Sequence, residues 1–337
     1  MTRGGRGGSH QWDRATSASP TFVTPRAAIG AAVDLGSNSV HLLVAVIAGH
    51  RLRPLIDESS FLGLGAAVEA RAHLGPDARD ELTAVLARYA ATASDLGAST
   101  MTFMGTEPLR RAADSARIVE DVDRATRVPL QVLSHEEEAY LTVVGVTSGW
   151  PVEHETLVVD IGGGSSEFCA VAPGRSPRAA GLRIGSNRLS MRYVTSDPVT
   201  REAVEAMRAA ADEILVGALP SDPTELIVVG GTATNLLKVT SAGAADPILS
   251  RARIAEALDT LLAEPAGTSA ARFGINPKRG PLLPAGAVIV DALMRRYEVD
   301  EVRVSDASLR EGAILVADHA GRAWRDRLPE LAHGWRR

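Results

Sequence analysis

One short pattern occurs twice in this chain and constrains its fold more than any other feature. Residues 33–39 read Val-Asp-Leu-Gly-Ser-Asn-Ser, and residues 159–165 read Val-Asp-Ile-Gly-Gly-Gly-Ser. In each copy an apolar run ends in an aspartate, a polar turn containing glycine follows, and a second apolar run begins after it. We interpret each copy as a β-hairpin with a polar tip. Because Val, Asp, Gly and Ser recur at the same positions, the two copies indicate a duplicated domain.

Alternating helices and strands are predicted around the two hairpins, which favours a layered α/β fold. The chain has 337 residues, more than one hydrophobic core usually holds, so two domains are expected. We place one domain at residues 29–148 and a second, with a helical C-terminal end, at residues 149–337. The predicted helices cover residues 76–96, 115–126, 136–146 and 201–216, and the predicted strands outside the hairpins cover residues 100–104, 130–133, 225–229 and 301–304.

Composition disfavours several other classes of protein. Residues 1–28 are rich in Gly, Arg, Ser and Thr and lack the apolar core of a signal peptide, so we interpret them as a disordered leader. No apolar run approaches the roughly 20 residues of a membrane-spanning helix. The net charge is −5 and aromatic residues make up 4%, so neither nucleic acid nor a membrane is an expected partner. The single cysteine, Cys169, is predicted to be buried, and a chain without disulfides fits the cytoplasm.

The two hairpin tips offer the groups that hold a phosphate. Backbone N–H groups and hydroxyls in a small concavity bind phosphate oxygens, and glycine lets the backbone approach closely. An aspartate at a strand end suits Mg²⁺, a hard cation that takes oxygen ligands. Two facing tips would grip a polyphosphate from both sides, although an ordinary hairpin with a surface aspartate explains either tip alone. The candidate residues are Asp34, Gly36, Ser37, Asn38 and Ser39 in the first tip, and Asp160, Gly162, Gly163, Gly164 and Ser165 in the second.

Three consecutive glutamates open the predicted helix at residues 136–146. Ser134 and Glu137 form a capping box, and acidic residues in a first turn favour the helix dipole, so most of this acidity has a structural explanation. Glu138 is not needed for the capping box. Its carboxylate is therefore a candidate general base that takes a proton from an attacking water.

Two further segments join a strand to a helix and offer groups that suit an anion. Residues 105–111 follow the predicted strand at residues 100–104. Arg110 in that segment either faces an anion or belongs to a solvated basic loop. Gly231 and Thr232 follow the predicted strand at residues 225–229, a placement that suits phosphate binding. Adjacent glycines alone are a weak indication of such a site.

These segments resemble the exopolyphosphatase/guanosine-pentaphosphate phosphohydrolase (Ppx/GppA) family over roughly residues 29–318. The family belongs to the actin–Hsp70–sugar-kinase superfamily. The resemblance implies two ribonuclease-H-like α/β domains, of the actin-like ATPase type, with the active site in the cleft between them. The resemblance rests on the order and spacing of the matching segments, which are residues 33–39, 105–111, 136–139, 159–167, 230–232 and 304–312.

The resemblance also implies a reaction and roles for its residues. Water would attack the terminal phosphate of inorganic polyphosphate with the help of Mg²⁺, or of Mn²⁺ as a substitute. Glu138 is the implied general base and Arg110 the implied phosphate-binding arginine. Asp34, Asp160 and Glu167 are the implied metal-associated acids. Short chains are the expected substrate because the extra C-terminal domains of long family members are absent from this sequence, and a homodimer is implied by the family alone.

Some positions depart from the family pattern and leave the substrate open. His135 stands where family members often carry glycine, and residues 105–108 and 184–188 also differ. The alternatives are hydrolysis of pppGpp, a nucleotide of the stringent response, a non-catalytic module that binds such nucleotides or polyphosphate, and a kinase of the same superfamily. Retention of Glu138 and Asp160 favours hydrolysis.

Overall fold

The computed structural model describes residues 28–49, 51–240 and 246–336. The predicted disordered leader lies outside the described residues, apart from Ala28. The strands are β1 (Ala28–Leu35), β2 (Ser39–Ala48), β3 (Arg51–Phe61), β4 (Thr100–Gly105), β5 (Leu130–Val132), β6 (Thr156–Ile161), β7 (Ser166–Ala172), β8 (Arg175–Leu182), β9 (Glu225–Val229), β10 (Ile248–Ser250) and β11 (Glu301–Ser305). The helices are α1 (Leu64–Arg71), α2 (Pro76–Asp95), α3 (Glu107–Arg111), α4 (Ser115–Thr126), α5 (His135–Thr147), α6 (Ser186–Tyr193), α7 (Arg201–Leu215), α8 (Gly231–Val239), α9 (Arg251–Ala263), α10 (Ala266–Arg272), α11 (Leu283–Arg296), α12 (Leu309–Ala320) and α13 (Leu328–His333).

The described strands form two sheets whose centres repeat one arrangement. The first sheet has the order β3-β2-β1-β4-β5, and the second has the order β10-β11-β9-β6-β7-β8. In the first, β1 pairs antiparallel with β2 and parallel with β4. In the second, β6 pairs antiparallel with β7 and parallel with β9. Both predicted hairpins are therefore present, and the shared pairing agrees with a duplicated domain.

Two strands that the sequence pattern did not predict, β3 and β8, extend the hairpins into three-stranded meanders. Each lies at one edge of its sheet and contains a proline, Pro54 in β3 and Pro177 in β8. Proline cannot donate a ladder hydrogen bond, so it is tolerated at an edge but weakens the sequence pattern of a strand. The exposed charged residues of β3 have the same effect on its pattern.

One buried cluster joins the two sheets through helices α5 and α12. Ala32 and Met104 from the first sheet, and Val158 and Ile227 from the second, belong to this cluster together with apolar side chains of both helices. Cys169 is a fully buried member of it, as predicted. The two helices therefore lie between the sheets and fix their relative position. None of the helices in the described ranges is both long and apolar enough to cross a membrane.

Helices α5 and α12 approach each other at two glycines. A Cβ atom on Gly145 would lie 2.0 Å from the carbonyl oxygen of Ser308, and one on Gly312 would lie 1.9 Å from the carbonyl oxygen of Leu141. Real Cβ atoms do not come this close, so both positions require glycine. The resulting contact joins the C-terminal half of α5 to the N-terminal end of α12.

Helix α12 packs against β1 and β4 of the first sheet, although it belongs to the segment predicted as the C-terminal domain. The first sheet is complete at β5 and the second begins at β6, on either side of residue 148. The strands thus divide near the predicted boundary, while one helix that covers the first sheet comes from the far end of the chain. The boundary between residues 148 and 149 stays a prediction.

Candidate active site

A polar cleft of about 700 Å³ opens between the carboxyl ends of β1 and β6. Both hairpin tips border it, and so do residues at the N-terminal ends of α5, α8 and α12. Of the predicted site residues, all except Arg110 line this cleft. They are Asp34, Gly36, Ser37, Asn38, Ser39, Glu138, Asp160, Gly162, Gly163, Gly164, Ser165, Glu167, Gly231 and Thr232.

Each hairpin tip closes with the same backbone hydrogen bond. The N–H of Gly36 donates to the carbonyl oxygen of Ser39 at 3.1 Å, and the N–H of Gly162 donates to that of Ser165 at 3.0 Å. The turn is a local structure, so the repeated sequence produces the repeated geometry. The cleft thus receives one glycine-containing tip from each sheet, which is the arrangement that the repeat predicted.

Asp34 and Asp160 occupy equivalent places near the ends of β1 and β6. Burial, reinforced by nearby Glu138 and Asp160, raises the pKa of Asp34 to about 8. Burial also raises the pKa of Asp160 to about 6. Oδ1 of Asp34 is buried and has no hydrogen-bond partner among the residues that the structure describes. A buried carboxylate oxygen is costly to keep charged without a partner, so this position favours either a proton or a cation.

Glu138 differs from the adjacent Glu137 because only Glu137 caps helix α5. Oγ of Ser134 accepts a hydrogen bond from the N–H of Glu137 at 3.2 Å, and Oε2 of Glu137 accepts one from the N–H of Ser134 at 2.8 Å, which confirms the predicted capping box. Glu138 takes no part in it and is 7% exposed. Burial, and then nearby Glu167, raise the pKa of Glu138 well above its ordinary value. A carboxylate with a raised pKa is a better proton acceptor near neutral pH.

Arg110 lies behind the acids instead of lining the cleft. Its Nη1 donates to Oε2 of Glu138 at 2.6 Å and to the carbonyl oxygen of Leu133 at 3.0 Å, and its Nη2 donates to Oε1 of Glu167 at 3.2 Å. Its side chain is 15% exposed, so the alternative of a solvated basic loop is wrong at this residue. The guanidinium here neutralises two buried carboxylates. Its role in binding phosphate stays a prediction.

Glu167 is held by several neighbours on one oxygen. Oγ of Ser165 donates to Oε1 of Glu167 at 2.7 Å, and Nδ1 of His135 lies 2.8 Å from the same oxygen and 3.0 Å from Nη2 of Arg110. Burial is the main reason that the pKa of Glu167 rises to about 8. Oε1 of Glu167 is thus already engaged by protein groups. The role of Glu167 as a metal ligand stays a prediction. His135 has a structural role in this network.

Sequence reasoning missed the basic side chains that line the cleft, Lys238, Arg279 and Arg310. Nη2 of Arg279 lies 3.4 Å from Nε2 of His41, and no carboxylate in the described ranges is within ion-pair distance of it. Burial, and then nearby Arg310, lower the pKa of Arg279. Arg310 pairs with Asp57 at 2.5 Å. A half-buried guanidinium without an acidic partner, close to a second cation, indicates a binding place for an anion.

The oxygen atoms around the cleft fit Mg²⁺. Among the side chains that the structure describes, no group of three or more His, Cys, Asp or Glu is arranged to hold a metal ion. Mg²⁺ does not require one, because it is usually held by one or two protein carboxylates together with waters and substrate phosphates. Asp34, with its unpartnered oxygen, and Asp160 would supply the two carboxylates.

We expect Mg²⁺ to stabilise the protein more at pH 8 than at pH 6. The folded-state pKa of Asp34 is raised from 3.8 to about 8, so its contribution to stability is complete below pH 3.8 and is lost as the pH rises through 8. Bound Mg²⁺ replaces the proton and reverses this loss. Thermal unfolding with EDTA and with Mg²⁺ at both pH values measures the effect. An equal gain at both pH values, or an unchanged gain in Asp34→Asn, would contradict it.

Comparison with known proteins identifies a family and several relatives that this chain resembles. The model of the Ppx/GppA phosphatase family matches residues 43–319. Exopolyphosphatase 1 of Mycobacterium leprae is 30% identical over 298 residues, which cover 84% of this chain and 87% of that protein. Exopolyphosphatase 1 of Mycobacterium tuberculosis is 30% identical over 300 residues, covering 84% and 86%. The crystal structure of the Aquifex aeolicus member of the Ppx/GppA family has a TM-score of 0.76 at 26% identity, covering 88% of this chain and 99% of that chain.

The two repeated sheets and the cleft between them define an α/β protein of the actin-like ATPase type with two ribonuclease-H-like domains, which confirms the predicted fold class. The chain belongs to the Ppx/GppA phosphatase family. The prediction that it is an enzyme, a hydrolase of phosphoanhydride bonds, is confirmed with the family.

Proposed function

We propose that this protein is an exopolyphosphatase that releases terminal orthophosphate from short chains of inorganic polyphosphate. The observation that carries the proposal is the lining of the cleft, in which two glycine-containing tips and the basic side chains of Lys238, Arg279 and Arg310 border one polar space. No Phe, Tyr or Trp is among the described residues that line it. A phosphate chain needs hydrogen bonds and cations along its length, whereas a guanine base gains from stacking on an aromatic ring. The name of the mycobacterial relatives, exopolyphosphatase, favours the same substrate.

Glu138 would act on the attacking water in this reaction. Its carboxylate takes one proton as the water oxygen forms a bond to the terminal phosphorus and the P–O bond to the next phosphate breaks. The proton then passes to the leaving phosphate chain, which is one unit shorter, and orthophosphate is the other product. Backbone N–H groups of the two tips, from residues 37–39 and 163–165, would hold the equatorial oxygens of the phosphoryl group. No covalent bond to the enzyme is needed.

Asp34 and Asp160 would hold Mg²⁺, or Mn²⁺ in its place. The cation supplies positive charge that offsets the repulsion between these acids and the polyanionic substrate. Without it, several buried carboxylates would face the phosphate chain directly. We therefore expect hydrolysis to require a divalent cation.

The proposal is tested by phosphate release from short polyphosphate, long polyphosphate, pppGpp and ATP, each with Mg²⁺ and with EDTA. Metal-dependent release that is fastest from short polyphosphate is the expected result. Faster release from pppGpp would make the protein a pppGpp phosphohydrolase. Binding without release from any of them would make it a non-catalytic binding module. ADP formation that depends on an added acceptor would instead indicate a kinase.

Arg279→Ala should raise KM for polyphosphate about tenfold, as expected for the loss of one charge-assisted contact, and leave kcat within about twofold. Arg279 lines the cleft beside Gly231 and has no hydrogen bond to Glu138 among the described residues, so it would bind phosphates without acting on the base. Steady-state kinetics measure both constants, with Arg272→Ala as a matched control because Arg272 is exposed outside the cleft. An unchanged KM would remove Arg279 from the substrate-binding site.

A further inference from the structure

Glu107 occupies an unusual position for an acidic residue, between the two phosphate-binding tips. It begins helix α3, and its side chain is 5% exposed. Its Oε2 accepts a hydrogen bond from Oγ of Ser37 at 3.1 Å, and its Oε1 accepts from Nη1 of Arg111 at 3.0 Å and from Nη2 of Arg188 at 2.8 Å. One buried carboxylate therefore contacts Ser37 in the first tip, Arg111 in its own helix α3, and Arg188 in helix α6.

Arg188 continues the connection to the second tip. Its Nε donates to the carbonyl oxygen of Gly164 at 2.9 Å while its Nη2 donates to Glu107. Ser37, Glu107, Arg188 and Gly164 thus form an unbroken chain of hydrogen bonds from one tip to the other, which we call the Glu107 bridge. The bridge has three links, from Ser37 to Glu107, from Glu107 to Arg188 and from Arg188 to the backbone of Gly164.

The charges of this bridge are balanced by a second glutamate. Nη2 of Arg111 lies 2.6 Å from Oε2 of Glu69, and Nη1 of Arg188 lies 3.1 Å from the same oxygen. Two glutamates therefore share two arginines, and the more buried of the two, Glu107, is the one that touches Ser37. Removal of one partner from a buried ion pair leaves an uncompensated charge, so the four side chains hold together as a unit.

The two tips are also in close contact at this place. A Cβ atom on Gly164 would lie 2.5 Å from Oε2 of Glu107 and 2.8 Å from Oγ of Ser37. The missing side chain of Gly164 is what allows Glu107 and Ser37 to approach the second tip. The spacing between the tips is therefore set by the Glu107 bridge and by this contact, and not by the sheets alone.

We infer that Glu107 is a positioning residue that fixes the distance between the two phosphate-binding tips. The inference rests on the proposed function, because the tips are the groups that would orient the terminal phosphate. Loss of the bridge would let the tips separate, so that the phosphoryl group is held less accurately relative to Glu138. A misplacement of about 1 Å costs on the order of 10² in rate. Lys238, Arg279 and Arg310 take no part in the bridge and would still bind the substrate, so kcat should change more than KM.

The test compares Glu107→Ala, Glu107→Gln and Glu225→Ala. Glu225 is a matched control because it pairs with Arg303 at 2.6 Å at the end of β9 away from the cleft. We expect kcat for short polyphosphate to fall about 10²-fold in Glu107→Ala, with KM changed less than fivefold. Glu107→Gln keeps an acceptor for Ser37 and should lie between Glu107→Ala and the native protein. Glu225→Ala should match the native protein.

A second measurement does not depend on hydrolysis. Spin labels on cysteines at Ala70 in α1 and Met191 in α6, both exposed, report the distance between two helices that are each hydrogen-bonded to one tip. The native Cys169 is fully buried and does not interfere. The distance distribution should broaden in Glu107→Ala, and in Arg188→Lys if Glu107→Ala does not fold. An unchanged distribution together with unchanged kcat overturns the inference. If the native protein hydrolyses none of the substrates, the proposed function fails, and the distance measurement still decides the role of Glu107.

Discussion

Glu138→Gln should lower kcat about 10²- to 10⁴-fold, the usual contribution of a general base, while KM stays nearly unchanged. Glutamine has the same shape and still accepts a hydrogen bond from Arg110, which lies 2.6 Å from the carboxylate, but it does not take a proton from water. The fold and the binding of substrate should therefore survive. Steady-state kinetics with circular dichroism and a binding measurement on the same variant check the prediction.

The neighbouring residue provides a matched control. Glu137→Gln changes an adjacent glutamate whose carboxylate caps helix α5 and pairs with Arg325 at the surface. Its turnover should remain within about twofold of the native protein, since surface and capping changes act on stability and not on the reaction. If both variants lose turnover equally, the loss comes from helix α5 and not from a base at Glu138.

Arg110→Ala should lower kcat/KM at pH 7 about 10²-fold and shift the acidic limb of the pH–rate profile to higher pH. Arg110 opposes burial and Glu167 in setting the pKa of Glu138, so its removal raises that pKa further. A base with a higher pKa is charged in a smaller fraction of molecules at pH 7. Raising the pH should therefore restore part of the lost activity.

Arg110→Lys separates charge from geometry at the same position. An ammonium group restores one positive charge, but it does not bridge Glu138 and Glu167 as the planar guanidinium does through Nη1 and Nη2. Its kcat/KM should fall between those of Arg110→Ala and the native protein. Thermal unfolding of both variants detects a general loss of stability. An unshifted profile in Arg110→Ala would show that Arg110 does not set the protonation of the base.

The local features of the site could be predicted from the sequence, because each depends on a few adjacent residues. The hairpin tips required only the repeated pattern around Asp34 and Asp160, and the closing bond of each tip spans three residues. The exclusion of Glu138 from the capping box rested on helix geometry within one turn. Its place in the cleft also depends on the packing of α5 between the sheets, and its role as a base is a proposal.

The long-range features could not be predicted in this way. Arg310 and Asp57 are 253 residues apart in sequence and meet at the lining of the cleft. Arg279 lies between α10 and α11, where no periodic pattern distinguishes it from surface arginines such as Arg272. Arg110 was selected by resemblance, but its contact with Glu138 and Glu167 depends on how α3, α5 and β7 pack. Side-chain contacts across elements are decided by tertiary packing, which one sequence does not display.

The placement of helix α12 against β1 has a consequence for synthesis of the protein. Strand β1 leaves the ribosome early, whereas α12 is made near the end of the chain, after both sheets. Until then one apolar face of the first sheet, including Ala32, lacks a main part of its cover. The cleft also lacks Arg310 at this stage. The nascent chain therefore carries two finished hairpins but no complete active site, and a growing chain should acquire protease resistance and phosphate binding together, when α12 docks.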